Sequence, residues 1–407
     1  MAGAHDIPRV SQDPRDPQFY GNPYDFYRKI RALGDFVFWE DYDIVVATTH
    51  VACNAVMKHP KLGRRVPLAL QQDRPDHLQT FFDLERNSLL ELEPPTHTRL
   101  RRATQRGFGR NQIAAFAPKI STTTDALIDA FPSGPFDFIE ALARPLPARV
   151  ITSFFGLPEE MAAQLQDWSN DMVSMYQSRR SRSIEDKAEK AAQEFGAYLD
   201  EVFDARRSAP QADFLSDLIH AQNEGALQSR GELLSSVILL LNAGHEASVH
   251  TLGHALRLLA NHPDRSIALE PTNIAGTVEE CLRFAPPLHM FQRYVYENTR
   301  ILDHDFAMDQ TVGCLLGSAC QDDSVWPDAQ KFDPFRAHRA HIAFGTGLHV
   351  CLGAALARLE LQIALPAIFS RCPDLAIVDP PQMTDTYHFH GLKRLMVDVR
   401  PAAPSST

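Results

Sequence analysis

Apolar residues recur at helical spacing along most of this chain. Segments 23–33, 98–108, 122–131, 159–176, 184–207, 231–260, 273–284 and 354–369 place them three or four positions apart, which gives each segment one apolar face. Alternating or short β-branched runs are fewer: 36–39, 44–47, 291–296, 311–316 and 395–399. The pattern predicts a mainly α protein with a small β-rich region, its sheet assembled from both ends of the chain. No repeat, low-complexity tract or evident linker interrupts it, so a single domain over 1–407 is expected, with the polar, proline-broken residues 1–20 as a flexible lead.

The 407 residues are 44% hydrophobic, enough for a large core, yet no stretch approaches the roughly twenty apolar residues that cross a bilayer. The amino terminus carries no apolar signal region, so a cytoplasmic protein with no membrane partner is expected. A net charge of -11 argues against nucleic acid as a partner. Local basic groups, Arg99, Arg101, Arg102, Arg106 and Arg110, then Arg179, Arg180 and Arg182, offer docking surfaces or solvated helix faces. Six cysteines without a CxxC pair or zinc-type spacing speak against a disulfide framework and a zinc site.

One cysteine stands apart. In Phe344-Gly345-Thr346-Gly347-Leu348-His349-Val350-Cys351-Leu352-Gly353, three glycines permit positive φ and leave room for a large flat ligand, and the alanine-rich helix that follows points its amide end at the sulfur. A lone axial thiolate beneath a flat macrocycle means haem, with Cys351 as the metal ligand. A simply buried cysteine is the ordinary alternative. Here Phe344, Gly345, Gly347, His349, Cys351 and Gly353 fit one pattern together, and this stretch resembles the cysteine loop of the cytochrome P-450 family of haem-thiolate monooxygenases.

The segment 235–248 is apolar for two turns and then turns small and polar at Asn242-Ala243-Gly244-His245-Glu246-Ala247-Ser248. Ala243 and Gly244 would let ligand and dioxygen lie against the backbone, with Glu246 within one turn to supply protons. This matches the family's oxygen-activating motif, except that Ala247 stands where threonine is usual. The relay would then rest on Glu246, on Ser248, on water or on a hydroxyl of the substrate.

The resemblance implies further roles. Glu280 and Arg283, three apart on one helix face, would be a buried pair supporting the cysteine loop, with Lys331 or Arg336 as a third partner. The upstream Ala319-Cys320-Gln321-Asp322 departs from the family's Ala-Asn-Arg-Asp. His97, Arg101, Arg293 and His349 would hold the propionates of haem b. Leu240, Ala243 and Gly244, Leu288, His289, Met290 and Phe291, and His388 would frame the substrate, with segments 67–90 and 168–182 as mobile borders. The expected activity is insertion of one oxygen atom of O2 into a hydrophobic or amphipathic organic substrate. Electrons would come from a ferredoxin and its reductase, drawn by Arg102, Arg106, Arg110, Arg336 and Arg339. Use of peroxide, a non-inserting oxidation, or a non-catalytic haem sensor are the alternatives.

Overall fold

The computed structural model describes residues 7–71, 73–176 and 180–399. The chain divides into two compact units: a helical unit of 64–123 and 144–246, and a mixed unit that takes in the described parts of 1–63, 124–143 and 247–407.

In the helical unit, caps and cross-helix carboxylates decide where helices begin. Its principal helices are α1 (Gln79–Glu85), α2 (Thr96–Gln105), α3 (Ala162–Val173), α4 (Arg182–Ser208) and α5 (Arg230–Ala243). The Ser181 and Ser229 side chains accept from the amides of Ile184 and Glu232, capping α4 and α5. Helix α1 has no cap of its own. Glu189 of α4 accepts from the amides of Thr80 and Phe81 at 3.0 and 2.9 Å, and Ser235 of α5 donates to the Leu84 carbonyl at 2.7 Å, so α1 is held at both ends. Helix α2 starts two residues before the sequence pattern suggests, directly after Pro94-Pro95. The expected helix 159–176 is interrupted: a 3₁₀ turn, Glu159–Met161, leads into α3, and a second, Ser174–Tyr176, follows it.

The long helix expected over 231–260 is two helices. Helix α5 ends at Ala243, and α6 (Glu246–Ala260) begins after a turn at Gly244-His245. A Cβ on Gly244 would lie 2.6 Å from Ile151 Cγ1, so this close approach requires glycine. The His245 ring nitrogen Nδ1 lies 3.1 Å from the Leu241 carbonyl. A carbonyl only accepts, so Nδ1 carries the proton, and the side chain serves the carbonyl that a continuous helix would have bonded through its amide. Burial holds His245 down to about 4, so the ring is neutral.

The mixed unit contains a six-stranded sheet in the order Arg9–Val10, Phe36–Trp39, Ile44–Ala47, Thr311–Leu315, Met290–Val295, Leu62–Gly63. The closing strand, Met396–Asp398, does not join it. It pairs with Ala376–Ile377 and with Phe136–Asp137 in a separate sheet, which corrects the expectation of one sheet drawn from both chain ends. Nor are residues 7–20 a loose lead. Arg9–Val10 pairs parallel with Phe38–Trp39, the Trp39 indole donates to the Gln12 carbonyl at 2.9 Å, and Phe19 is buried among Tyr27, Trp39 and Met290. Residues 1–6 of that segment lie outside the described residues. Helices α7 (Ile274–Phe284) and α8 (Ala354–Arg371) complete the part of this unit that carries chemistry. No helix among the described residues is long and apolar enough to cross a membrane.

Candidate active site

The cysteine loop is shaped by its own backbone. The Gly345 amide donates to the Ile342 carbonyl at 2.8 Å and the Cys351 amide to the Phe344 carbonyl at 2.9 Å, which closes the bend. Gly345 and Gly347 have φ of +68° and +74°, as their residue type allows. Gly353 does not share this role: its φ is -80°, and no atom lies within 4 Å of the place a Cβ would take, so it leaves open space. Cys351 is exposed, whereas the other five cysteines are buried. Burial pushes the Cys281 and Cys53 thiols up, the former above the range in which thiolates form near neutrality. The donor set therefore fits a haem iron at Cys351 and at no other cysteine.

Two charged clusters tie α7 to the segments before and after the loop. Arg283 bonds both oxygens of Glu280 at 2.7 Å, and the two side chains are only 2% and 4% exposed. Arg283 also donates to the carbonyls of Cys320 and Ala329, and the third partner is Arg336, 3.1 Å from Glu280, rather than Lys331. The divergent tetrapeptide is also engaged: Gln321 donates to the Phe284 carbonyl and Asp322 accepts from the His50 amide. Sequence reasoning missed the second cluster. Arg358 of α8 bonds both oxygens of Glu279 at 2.5 and 2.9 Å, and its guanidinium lies 4.5 Å from the centroid of the Phe344 ring. His341 stands 3.2 Å from the same carboxylate. Burial opposes ionisation of Glu279, but the bonds from His341 and Arg358 win and hold it down to about 2.

The propionate candidates divide between the two units. In the mixed unit, Arg293 is buried on the strand Met290–Val295 and His349 lies in the loop itself. The loop and this strand are neighbours, since a Cβ on Gly345 would sit 3.8 Å from Phe291 Cε2. In the helical unit, His97 and Arg101 share α2. Between them Arg99, read from the sequence only as one of a basic group, bonds both oxygens of Glu232 at 2.6 and 2.8 Å and ties α2 to the start of α5.

At the far end of α5, Leu240 is nearly buried while Ala243 is exposed, although its neighbour Leu241 is not. Glu246 is held up to about 7 by burial, with Arg144 opposing. One turn further the mixed unit begins. The Thr251 hydroxyl donates to the Ala247 carbonyl at 2.7 Å, so the next hydroxyl on α6 is turned to the backbone. Ser248 faces Glu360 of α8, a buried carboxyl with no hydrogen-bond partner at ordinary distance. Burial holds Glu360 up to about 8, the nearby Ser248 hydroxyl opposing. No pattern of spacing in the sequence pointed to Glu360.

Two pocket candidates are displaced. His289 is 0% exposed, and its Nδ1 lies 2.9 Å from the Tyr27 hydroxyl. Met290 is packed in the core with Phe19 and Trp39. Both are packed in the core, while Leu288, Phe291 and His388 remain partly accessible. Arg336, expected to draw an electron donor, instead serves Glu280 and the carbonyls of Pro327, Asp328 and Lys331. Arg339 donates to the Val325 carbonyl. Arg102, Arg106 and Arg110 are exposed, and Arg179 lies outside the described residues.

The model of the family described as cytochrome P450 matches residues 144–269 and 274–389. The cytochrome P450 monooxygenase PikC of Streptomyces venezuelae is 31% identical over 410 residues, covering 96% of this chain and 93% of the relative. The 6-deoxyerythronolide B hydroxylase of Saccharopolyspora erythraea is 34% identical over 308 residues, 74% of each chain. Among solved structures, P450BioI in complex with an acyl carrier protein bearing hexadec-9Z-enoic acid has a TM-score of 0.87 at 30% identity, covering 94% of this chain and all of that one. The bacillaene polyketide synthase cytochrome P450 PksS of Bacillus subtilis has a TM-score of 0.85 at 28% identity, covering 95% and 99%.

Proposed function

This chain belongs to the cytochrome P450 family, and from that premise we infer how its own residues serve the reaction. It is a haem b-dependent monooxygenase acting on an organic substrate with dioxygen. When bound, the haem supplies the iron at which dioxygen is activated.

Cys351 ligates that iron. The observation that carries this reading is its exposure on a glycine-shaped bend, against five buried cysteines. His97, Arg101, Arg293 and His349 serve the propionates, as cations and hydrogen-bond donors suited to carboxylates. The Glu280, Arg283 and Arg336 cluster and the Glu279, Arg358 and His341 cluster keep the bend in shape by holding the elements on either side of it.

Ala243 gives substrate and dioxygen access to the backbone, whereas Ile151 fills the space beside Gly244, and Glu246 delivers protons. A carboxyl held up to about 7 both keeps and releases a proton near neutrality. Ala247 brings no hydroxyl and Ser248 is turned to Glu360, so water or a hydroxyl of the substrate completes the relay. Electrons arrive singly from a ferredoxin charged by its reductase, guided by the exposed Arg102, Arg106 and Arg110. The whole of 1–407 acts as one catalytic domain, in the cytoplasm.

The decisive experiment is a visible spectrum of the haem-loaded, reduced, carbon-monoxide-bound protein. Wild type and Cys281→Ala should show the red-shifted Soret band of thiolate ligation, and Cys351→Ala should lack it. A Cys351→Ala protein that keeps the band overturns the assignment.

A further inference from the structure

Of the three arginines in the two charged clusters, Arg358 is set apart by what it touches. Arg283 and Arg336 give their donors to Glu280 and to backbone carbonyls between residues 320 and 331. Arg358 bonds both oxygens of Glu279 and lays its guanidinium 4.5 Å from the centroid of the Phe344 ring. Phe344 belongs to the cysteine loop, and its carbonyl accepts from the Cys351 amide at 2.9 Å. A full positive charge thus rests on a ring whose own backbone is hydrogen-bonded to that of the cysteine.

Arg358 is also close to the cysteine along the chain. It stands on the second turn of α8, so its Cα lies about 6 Å along the helix axis from Ala354, where the loop ends. The helix rise and the Phe344 contact together place the guanidinium on the order of 10 Å from Cys351. At that distance, with an effective protein dielectric of about 20, one unit charge changes an equilibrium that adds one charge by roughly tenfold.

The counter-charge is Glu279. Burial opposes its ionisation, but the bonds from His341 and Arg358 outweigh this, so it is a carboxylate at neutral pH. His341 adds no charge. Its Nδ1 accepts from the Ala343 amide at 3.2 Å, which leaves the proton on Nε2, 3.2 Å from Glu279. One cation and one anion therefore act on the loop in opposite senses, and the cation is the one in contact with it. Arginine suits this place because its planar fork meets both carboxylate oxygens while its face lies on an aromatic ring.

We propose that Arg358, held over Phe344 by Glu279, raises the reduction potential of the haem iron that Cys351 ligates, with Glu279 as a positioning residue whose own charge limits that rise. Reduction passes one electron from an external donor to ferric iron, and no bond forms or breaks in the protein. The site gains one negative charge, which a nearby guanidinium favours and a carboxylate disfavours. The inference rests on the assignment of Cys351 as the iron ligand and gives the cluster a part beyond holding the bend.

Spectroelectrochemical titration of the haem-loaded, substrate-free protein tests it in wild type, Arg358→Lys, Arg358→Gln and Glu279→Gln. Arg358→Gln should lower the reduction equilibrium about tenfold, a shift of about 59 mV to more negative potential for one electron. Arg358→Lys keeps the charge and should stay within about threefold of wild type. Glu279→Gln keeps an acceptor for Arg358 but removes the anion, and should raise the equilibrium by about threefold or more. The opposite signs carry the test: a cluster that only holds the loop in shape would shift both variants the same way, since each breaks the same ion pair. An unmoved potential in Arg358→Gln, a Glu279→Gln potential at or below that of wild type, or a lysine variant displaced as far as the glutamine one overturns the proposal. Should Arg358→Gln fail to hold haem, the sign of the Glu279→Gln shift decides alone. The reduced, carbon-monoxide-bound spectrum of the same samples reads the ligand separately: intact thiolate bands with unmoved potentials remove the charge effect and leave the Cys351 assignment standing.

Discussion

Glu246 is half-buried and Glu360 fully buried, and desolvation has different consequences for them because their neighbours differ. Glu246, held up to about 7, is protonated below that pH, so the supply of protons should fall as pH rises through 7. Turnover coupled to product should decline above pH 7 in wild type, and Glu246→Gln should lower kcat by about 100-fold and lose that decline. Steady-state rates from pH 6 to 9, with reduced ferredoxin and product both counted, check this. Glu360 has a folded value of about 8 against an ordinary 4.5, so the folded state binds more protons between those values. Its contribution is fully present below 4.5 and is lost as pH rises towards 8, by roughly 3 kcal/mol after allowance for relaxation. Glu360→Gln should therefore melt higher than wild type at pH 8 and about equally at pH 5; a thermal-unfolding difference that is constant across pH contradicts this.

At the scale of elements, the turn between α5 and α6 and the brace on the cysteine loop carry the strain-sensitive contacts. Gly244→Val must displace Ile151 from a 2.6 Å overlap, at a cost of about 1–3 kcal/mol, and denaturant midpoints will show it. Glu279, held down to about 2, contributes stability above its ordinary value of 4.5 that is lost as pH falls towards 2. Glu279→Gln should loosen Arg358 and the Phe344 ring beneath it. Haem transfer to apomyoglobin should then run several-fold faster at pH 7, with the gap to wild type closing below pH 4. Helices α4 and α8 were legible from apolar spacing to within two residues, because each buries one face along its length. The break at Gly244-His245 was not, because hydrophobic spacing runs unchanged through it and only the approach of Ile151 demands it.

Across the whole molecule the charge of -11 and the exposed arginines of the helical unit act at different ranges. Replacing Arg102, Arg106 and Arg110 with glutamate should slow ferredoxin reduction of the haem about tenfold at 20 mM salt and little at 500 mM, since a Debye length of a few ångströms screens the field. Stopped-flow reduction at the two salt concentrations decides it. The sequence by itself determined the helix-rich class and the haem-thiolate family, and singled out Cys351 as the proposed ligand, because those depend on local periodicity and on residues adjacent in one bend. Tertiary structure alone decided that Arg336 and not Lys331 meets Glu280, that Glu360 meets Ser248, and that His289 and Met290 turn into the core. These pairings join residues 56 to 262 positions apart in the chain, or depend on which face of a strand is covered. Burial, which sets the protonation of Glu246 and Glu360, is a property of what surrounds a residue in space, and no local spacing encodes it.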